Sequence, residues 1–350
     1  MSDAAPIPRP TIAVSMGDPV GIGPEVIVKA LADPALRRTA RFVILGAADA
    51  MNEAAQLAGI EPYWWRVKRG AGLVDTTTVH DVVLLDDPEG AGITAGSLRA
   101  ARREPAPAKN SGALSFRWVD EAISAAAGRH PEGLIADAIV TAPISKEAWA
   151  MAGHARWPGH TELLTERLGA RRTRMMFFSP TLRVVLVSAH VPLMELRNIL
   201  SIGRIFDTIE LGAQGCRMVG IEAPRIAVCG LNPHAGESGL LGDEEQRIIA
   251  PAIRAAVEAG IDARGPFPGD TIFRAAVRGA YDLVVAMYHD QGLIPVKLLA
   301  FENAVNATIG LPTVRTSPDH GTAFDIAGRH RADPGSMRAA LELAITMARR

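Results

Sequence analysis

The feature that most constrains the fold is a repeated alternation of short β-branched runs with Ala/Leu-rich stretches. Thr11-Ile12-Ala13-Val14, Phe42-Val43-Ile44-Leu45, Val82-Val83-Leu84-Leu85 and Ala138-Ile139-Val140-Thr141 each read as a short buried strand. Further strands are predicted near 183–188, 225–230 and 283–288. Helices fall between them: one opened by Pro24-Glu25, one ending near Leu57, and others near 111–128, 202–219, 243–259 and 336–349. Proline followed by an acid suits the first turn of a helix. This order predicts an α/β fold with a mainly parallel sheet and helices on both faces. A chain of 350 residues has room for two such units. Residues 87–110 carry three prolines with Arg99, Arg102, Arg103 and Lys109 and read as an exposed connector.

Composition removes several classes of function. Lys plus Arg total 37 against 38 Asp plus Glu, so no basic excess marks a nucleic-acid binder. No apolar run reaches the ~18–20 residues of a membrane span. Residues 1–10 hold Asp3 and three prolines and lack an apolar signal core, so a cytoplasmic location is expected. Cys216 and Cys229 alone give neither a disulfide framework nor a cysteine-rich zinc site. The segment Gly17-Asp18-Pro19-Val20-Gly21-Ile22-Gly23-Pro24 departs from G-x-G-x-x-G spacing and lacks a Walker lysine. It reads as a tight strand-to-helix turn.

In sheets of this kind ligands bind beyond the carboxyl ends of the strands. Three of the nine histidines stand there: His190, His234 and His289. Taken singly, each is more often a structural histidine. As a set they suggest three neutral imidazoles with open positions, a catalytic arrangement for a divalent metal. Asp290 is a candidate fourth ligand or proton acceptor. A second group, His160, Thr161, Lys297, Asn306 and Arg315, is cationic and polar and suits a phosphate or carboxylate. Thr161 lies where a helix is predicted to begin, and helix starts bind anions. Surface roles for Lys297 and Arg315 compete with this reading. A third segment, residues 319–328, is a small-residue loop able to approach a flat ligand.

Several motifs occur in one order along the chain. They are Met16-Gly17-Asp18-Pro19 with Pro24-Glu25, Thr141-Ala142-Pro143-Ile144-Ser145-Lys146, and residues 158–162, 231–237, 288–297 and 315–328. Together they resemble the 4-hydroxythreonine-4-phosphate dehydrogenase family of pyridoxal phosphate biosynthesis. The resemblance implies an isocitrate/isopropylmalate dehydrogenase-like fold of two α/β/α domains with a cleft between them. Residues 1–142 with 304–350 would form the first domain, and 143–303 the second, carrying the metal ligands and a homodimer interface. It implies metal ligation by His190, His234 and His289, and substrate contacts from His160, Thr161, Lys297, Asn306 and Arg315. It also implies NAD or NADP bound through Asp319, His320, Gly321, Thr322 and Ala323, which explains the missing Rossmann fingerprint.

The implied reaction oxidises a secondary alcohol with a metal (Zn, Co, Ni, Mn or Mg) lowering the hydroxyl pKa. Asp290 or Lys146 would take the proton. The β-keto acid formed would then lose carbon dioxide. The sequence departs from the family's usual pattern at Glu302-Asn303-Ala304-Val305-Asn306, Gly269-Asp270-Thr271 and Thr316-Ser317-Pro318-Asp319-His320. Two other substrate types therefore stay open: a phosphorylated four-carbon sugar acid and an aromatic cis-dihydrodiol carboxylate. A non-catalytic metal-dependent sensor or a metal-dependent hydrolase are rivals from other classes.

Overall fold

A computed structural model describes residues 9–87 and 94–350. Residues 1–8, part of the N-terminal stretch read above, and 88–93, part of the expected connector, lie outside the described residues. The strands, in chain order, are β1 (Thr11–Ser15), β2 (Arg41–Gly46), β3 (Trp65–Lys68), β4 (Val82–Asp86), β5 (Ala138–Thr141), β6 (Arg174–Phe178), β7 (Arg183–Leu186), β8 (Ile226–Cys229), β9 (Ala263–Phe267), β10 (Leu283–Ala286), β11 (Val305–Ile309) and β12 (Val314–Pro318). The chain divides into two compact units. One runs to Ala170 and takes back Pro312–Arg349; the other is Arg171–Leu311.

In the first unit the strand order is β3-β4-β2-β1-β5-β12, and every pairing is parallel. Residues 12–15, 42–46, 82–86 and 138–141 are buried. That explains their near-continuous apolar runs, since helices cover both faces of a parallel sheet. In the second unit the order is β11-β6-β7-β10-β8-β9. β7, β10, β8 and β9 are parallel, whereas β6 runs antiparallel to both neighbours. The sequence reading omitted β6 because Arg174-Met175-Met176-Phe177-Phe178 contains no β-branched residue.

The boundaries differ from those expected at 142/143 and 303/304. Residues 143–170 stay with the first unit because helix Lys146–Met151 packs tightly on helix Lys109–Ala126. At Gly112 a Cβ would collide with the Ala148 carbonyl, and buried Trp149 donates its indole N–H to Ser115 Oγ at 3.0 Å. Residues 305–309 join the second unit because β11 ladders with β6. The connector reading also needs correction. Residues 95–101 are helical, opened by a reciprocal Thr94/Ser97 capping box. Arg102 is buried, bonded to the Glu53 carboxylate at 2.6 Å and the Pro19 carbonyl at 3.0 Å. The helix predicted over 243–259 begins with a wide turn at Glu245–Ile249 before Ala250–Glu258. Pro251 lacks the N–H that would close a regular turn there.

Candidate active site

The 17–24 segment forms the tight turn expected of it. Gly17 takes φ +74°, and a Cβ there would collide with the Pro143 carbonyl. The Ile22 N–H donates to the Thr322 carbonyl at 3.0 Å, so this turn holds the 319–323 segment. Within that segment, the Asp319 N–H donates to Ser336 Oγ at 3.0 Å, His320 Nδ1 donates to the Gly321 carbonyl at 3.1 Å, and Ala323 is left-handed at φ +42°.

At the carboxyl end of β5 the first unit opens into a cleft of about 200 Å³, lined by Thr141, Lys146, His160, Ser317, His320 and Gly321 among others. Local sequence places each group. Ser145 caps helix Lys146–Met151 through its Oγ, which puts Lys146 on the first turn. Helix His160–Arg167 starts one residue before Thr161, so both lie in its first turn. Arg315, on β12 opposite Ile139 of β5, is 3% exposed and donates from Nη2 to Thr141 Oγ1 at 2.7 Å. Thr141 was not assigned a role from sequence. The rule that selected the histidines, a polar residue at the end of a strand, also selects it.

His160 packs edge-on against Trp149, with ring centroids 5.6 Å apart, and its Nε2 is buried without a hydrogen-bond partner. Burial, then the cations Arg315 and Lys146, push its pKa well below the ordinary histidine value. The ring is therefore neutral at pH 7. Burial also draws the Arg315 guanidinium down to about 10, and Glu162 offsets part of this. The cleft thus has Lys146 and an imidazole nitrogen with unused hydrogen-bonding capacity in its lining, and the buried Arg315 cation bonded to Thr141 on its wall. Such a set accepts an anion.

In the second unit β7, β10 and β8 are neighbours in that order and parallel. His190, His289 and His234 follow their carboxyl ends, so the sheet brings three histidine-bearing strand ends side by side. The His190 and His289 ring centroids are 6.0 Å apart. His289 Nδ1 bonds Asp290 Oδ1 at 2.7 Å, and His234 Nδ1 bonds Glu237 Oε2 at 2.9 Å. A carboxylate can only accept, so Nδ1 carries the proton in each ring and Nε2 is the electron-pair donor. This is the usual pattern of a metal-ligating histidine steadied by a carboxylate. Among the described residues, however, no three His, Cys, Asp or Glu side chains form a metal-holding group. The local backbone of His234 is unusual: residues 234–238 all take positive φ, between 43° and 81°. L-residues pay roughly 1–2 kcal/mol each for that region.

The five expected substrate contacts divide between the units. His160, Thr161 and Arg315 belong to the first, Lys297 and Asn306 to the second. Lys297 is half-buried on helix His289–Ala300, its Nζ 5.5 Å from the Phe301 ring centroid. Asn306 lies on β11 opposite Phe177. Asp290 lines a second cleft, about 580 Å³, with Asn232, His234, Asp270 and Tyr288.

Two α/β units with clefts beyond their strand ends, and no Rossmann fingerprint, define an α/β enzyme outside the standard dinucleotide-binding class. Comparison supplies the particular family. The profile described as "Pyridoxal phosphate biosynthetic protein PdxA" matches residues 38–344, and the chain belongs to that family. It is 46% identical over 344 residues to 4-hydroxythreonine-4-phosphate dehydrogenase of Geobacter metallireducens, covering 98% of this chain and 97% of the relative. It is 42% identical over 354 residues to D-threonate 4-phosphate dehydrogenase of Cupriavidus necator, covering 100% and 99%. The crystal structure of 4-hydroxythreonine-4-phosphate dehydrogenase from Klebsiella pneumoniae matches with a TM-score of 0.81 at 40% identity, covering all of both chains. The fold is therefore the isocitrate/isopropylmalate dehydrogenase-like α/β fold expected from the sequence. The chain is an oxidoreductase, and dehydrogenation calls for a nicotinamide cofactor.

Proposed function

We propose that this chain oxidises the secondary alcohol of 4-hydroxy-L-threonine 4-phosphate with NAD or NADP. The β-keto acid formed then loses carbon dioxide to give 3-amino-2-oxopropyl phosphate. The observation that carries the reading is the buried Arg315, fixed by Thr141 beside a cleft that Lys146 and His160 line. A guanidinium already held in place by a hydrogen bond is ordered for charge-assisted bonding to a phosphate. Thr161 adds the N-terminus of its helix, and Lys297 and Asn306 are further polar contacts. Of the two candidate bases, Lys146 lines this cleft, while Asp290 is engaged with His289. Lys146 is the group placed to take the hydroxyl proton as hydride passes to the nicotinamide. Asp319, His320, Gly321, Thr322 and Ala323 carry the cofactor on the segment pinned by Ile22.

His190, His234 and His289 are the residues that would hold a divalent cation. Such a cation, when bound, polarises the substrate oxygen and stabilises negative charge that develops on it. The Nδ1–carboxylate bonds of His234 and His289 support the assignment. Ile294 and Leu298, which line the cleft with Asp290, and Phe301 at the end of the same helix lie at helical spacing and are 65%, 83% and 66% exposed. An apolar strip of that kind favours a second copy of the chain as its cover. The working form is accordingly a cytoplasmic homodimer with its sites at the subunit interface. Leu298→Asp shifts the protein to monomers in sedimentation velocity. A wild-type protein that sediments as a monomer overturns the dimer.

The relative acting on D-threonate 4-phosphate favours a second reading. Both substrates carry the phosphate and the same secondary alcohol, and they differ in an amino or hydroxyl group at C2. One panel tests both: each phosphate ester and a cis-dihydrodiol carboxylate, with NAD or NADP, with and without added metal, read by reduced-nicotinamide absorbance. Faster turnover of the unphosphorylated diol than of either ester overturns the phosphate reading.

A further inference from the structure

The ladder between β10 and β8 ends at the pair Val285–Val228. Beyond it the two strands separate toward the helix that opens at His289 and the loop that carries His234, and a side chain continues the pairing. Gln291 Oε1 accepts from the Met287 N–H at 2.6 Å, and its Nε2 donates to the Gly230 carbonyl at 2.8 Å. The amide orientation is fixed by these partners, because an N–H needs the oxygen and a carbonyl needs the nitrogen. Met287 stands two residues before His289, and Gly230 four before His234.

A second side chain secures the His234 loop. Glu245, 3% exposed, accepts through Oε1 from the Leu231 and Asn232 N–H groups, both at 2.7 Å. Its Oε2 accepts from Asn232 Nδ2 at 3.0 Å. It sits on the wide turn Glu245–Ile249, an irregularity often found beside functional sites. A buried carboxylate is costly unless its lone pairs are used. Here they are used on the entry to a run of left-handed residues that carries His234.

We infer that Gln291 and Glu245 are positioning residues that hold the His289 and His234 strand ends in the geometry each needs to ligate a divalent cation. The inference rests on the metal reading proposed above. Neither residue touches the cation. Gln291 ties the two strand ends together and Glu245 fixes the geometry of one of them.

The test uses the full-length protein stripped of metal with a chelator and titrated with Co(II), followed by its visible ligand-field absorbance. Gln291→Leu removes both bonds. Gln291→Glu keeps the acceptor for Met287 and removes the donor to Gly230. Glu245→Gln keeps one oxygen and removes the charge. Wild type binds cobalt, and each variant binds it about 10-fold or more weakly, the scale at which groups behind a metal ligand act. The absorbance band of the bound ion also shifts. Excess cobalt restores turnover in the variants, which a fold defect would not allow. If Gln291→Leu fails to fold, Gln291→Glu decides. Folded Gln291 variants with wild-type cobalt affinity and spectrum overturn this inference alone. A wild-type protein that binds no cobalt overturns the metal reading and this inference with it.

Discussion

The cleft at the end of β5 and the histidine-bearing strand ends of the second unit solve the same problem differently. In the first, the working groups sit on regular elements, and Arg315 and Thr141 are buried. Arg315 is fixed by the register of β12 on β5, and His160 is wedged by Trp149. In the second, His190 and His234 sit on irregular segments and His289 opens a helix, and the His234 side chain is 66% exposed. A buried guanidinium pays a desolvation cost of several kcal/mol, which an incoming anion recovers. That arrangement is preorganised for charge already present on a ligand. The three imidazoles become a site only when a cation draws them together. The first region is thus complete as folded, and the second is completed by what binds it.

The largest expected effects test the second region. His190→Ala, His234→Ala and His289→Ala should each lower turnover by roughly three powers of ten, the several kcal/mol a Lewis acid contributes. Thermal unfolding should barely change, since the three side chains are at least partly exposed. Chelator should abolish wild-type activity, and divalent ions should restore it. Full activity in metal-stripped protein would remove the histidines from the chemistry.

Next comes the first region. Arg315→Met removes charge-assisted hydrogen bonds worth about 1.5–3 kcal/mol. On that scale kcat/KM for a phosphate ester falls roughly 10- to 150-fold. Thr141→Val, which removes one hydrogen bond from Arg315, should fall less, and Thr141→Ser should recover most of the loss. An equal loss for Arg315→Met on phosphorylated and unphosphorylated substrates would show that Arg315 holds a group common to both.

The parallel core was legible because strands buried on both faces read as unbroken apolar runs, as in Phe42-Val43-Ile44-Leu45 and Leu283-Val284-Val285-Ala286. The placement of three histidines at neighbouring strand ends followed from the same pattern. What escaped was set by tertiary pairing. β6 has no β-branched residue, and β12 begins beside Pro312. Arg102 sits among prolines and cations in sequence, yet it is buried against Glu53. The domain boundary escaped for a similar reason: contact between helices Lys109–Ala126 and Lys146–Met151 depends on Gly112, and its sequence neighbours do not announce it.

That contact gives a smaller, purely structural prediction. Gly112→Ala forces a methyl onto the Ala148 carbonyl, and overpacking of this kind costs about 1–3 kcal/mol. Helix Lys146–Met151 must shift, carrying Lys146 and Trp149 with it. If the cleft is as rigid as proposed, unfolding temperature and KM for the phosphate ester change together, while cobalt affinity does not. A stable variant with unaltered KM would show that the cleft tolerates movement of its wall.

The smallest effect concerns protons. His160 has a folded-state pKa well below its unfolded value near 6.5. Between those two values the unfolded chain binds the extra proton and the folded chain does not. Stability contributed by the neutral ring is therefore fully present above about pH 6.5 and declines as pH falls below it. The slope cannot exceed about 1.4 kcal/mol per pH unit for one group. His130 and His154 are also shifted downward by burial, so the wild-type acid limb contains their contributions as well. The difference between wild type and His160→Asn isolates one of them: the variant's stability should fall less steeply below pH 6.5. A bound phosphate should narrow the difference, because an anion beside His160 favours the protonated ring and raises its pKa. Identical acid limbs, with and without phosphate, would mean that His160 is solvated in the folded protein and that no anion binds beside it.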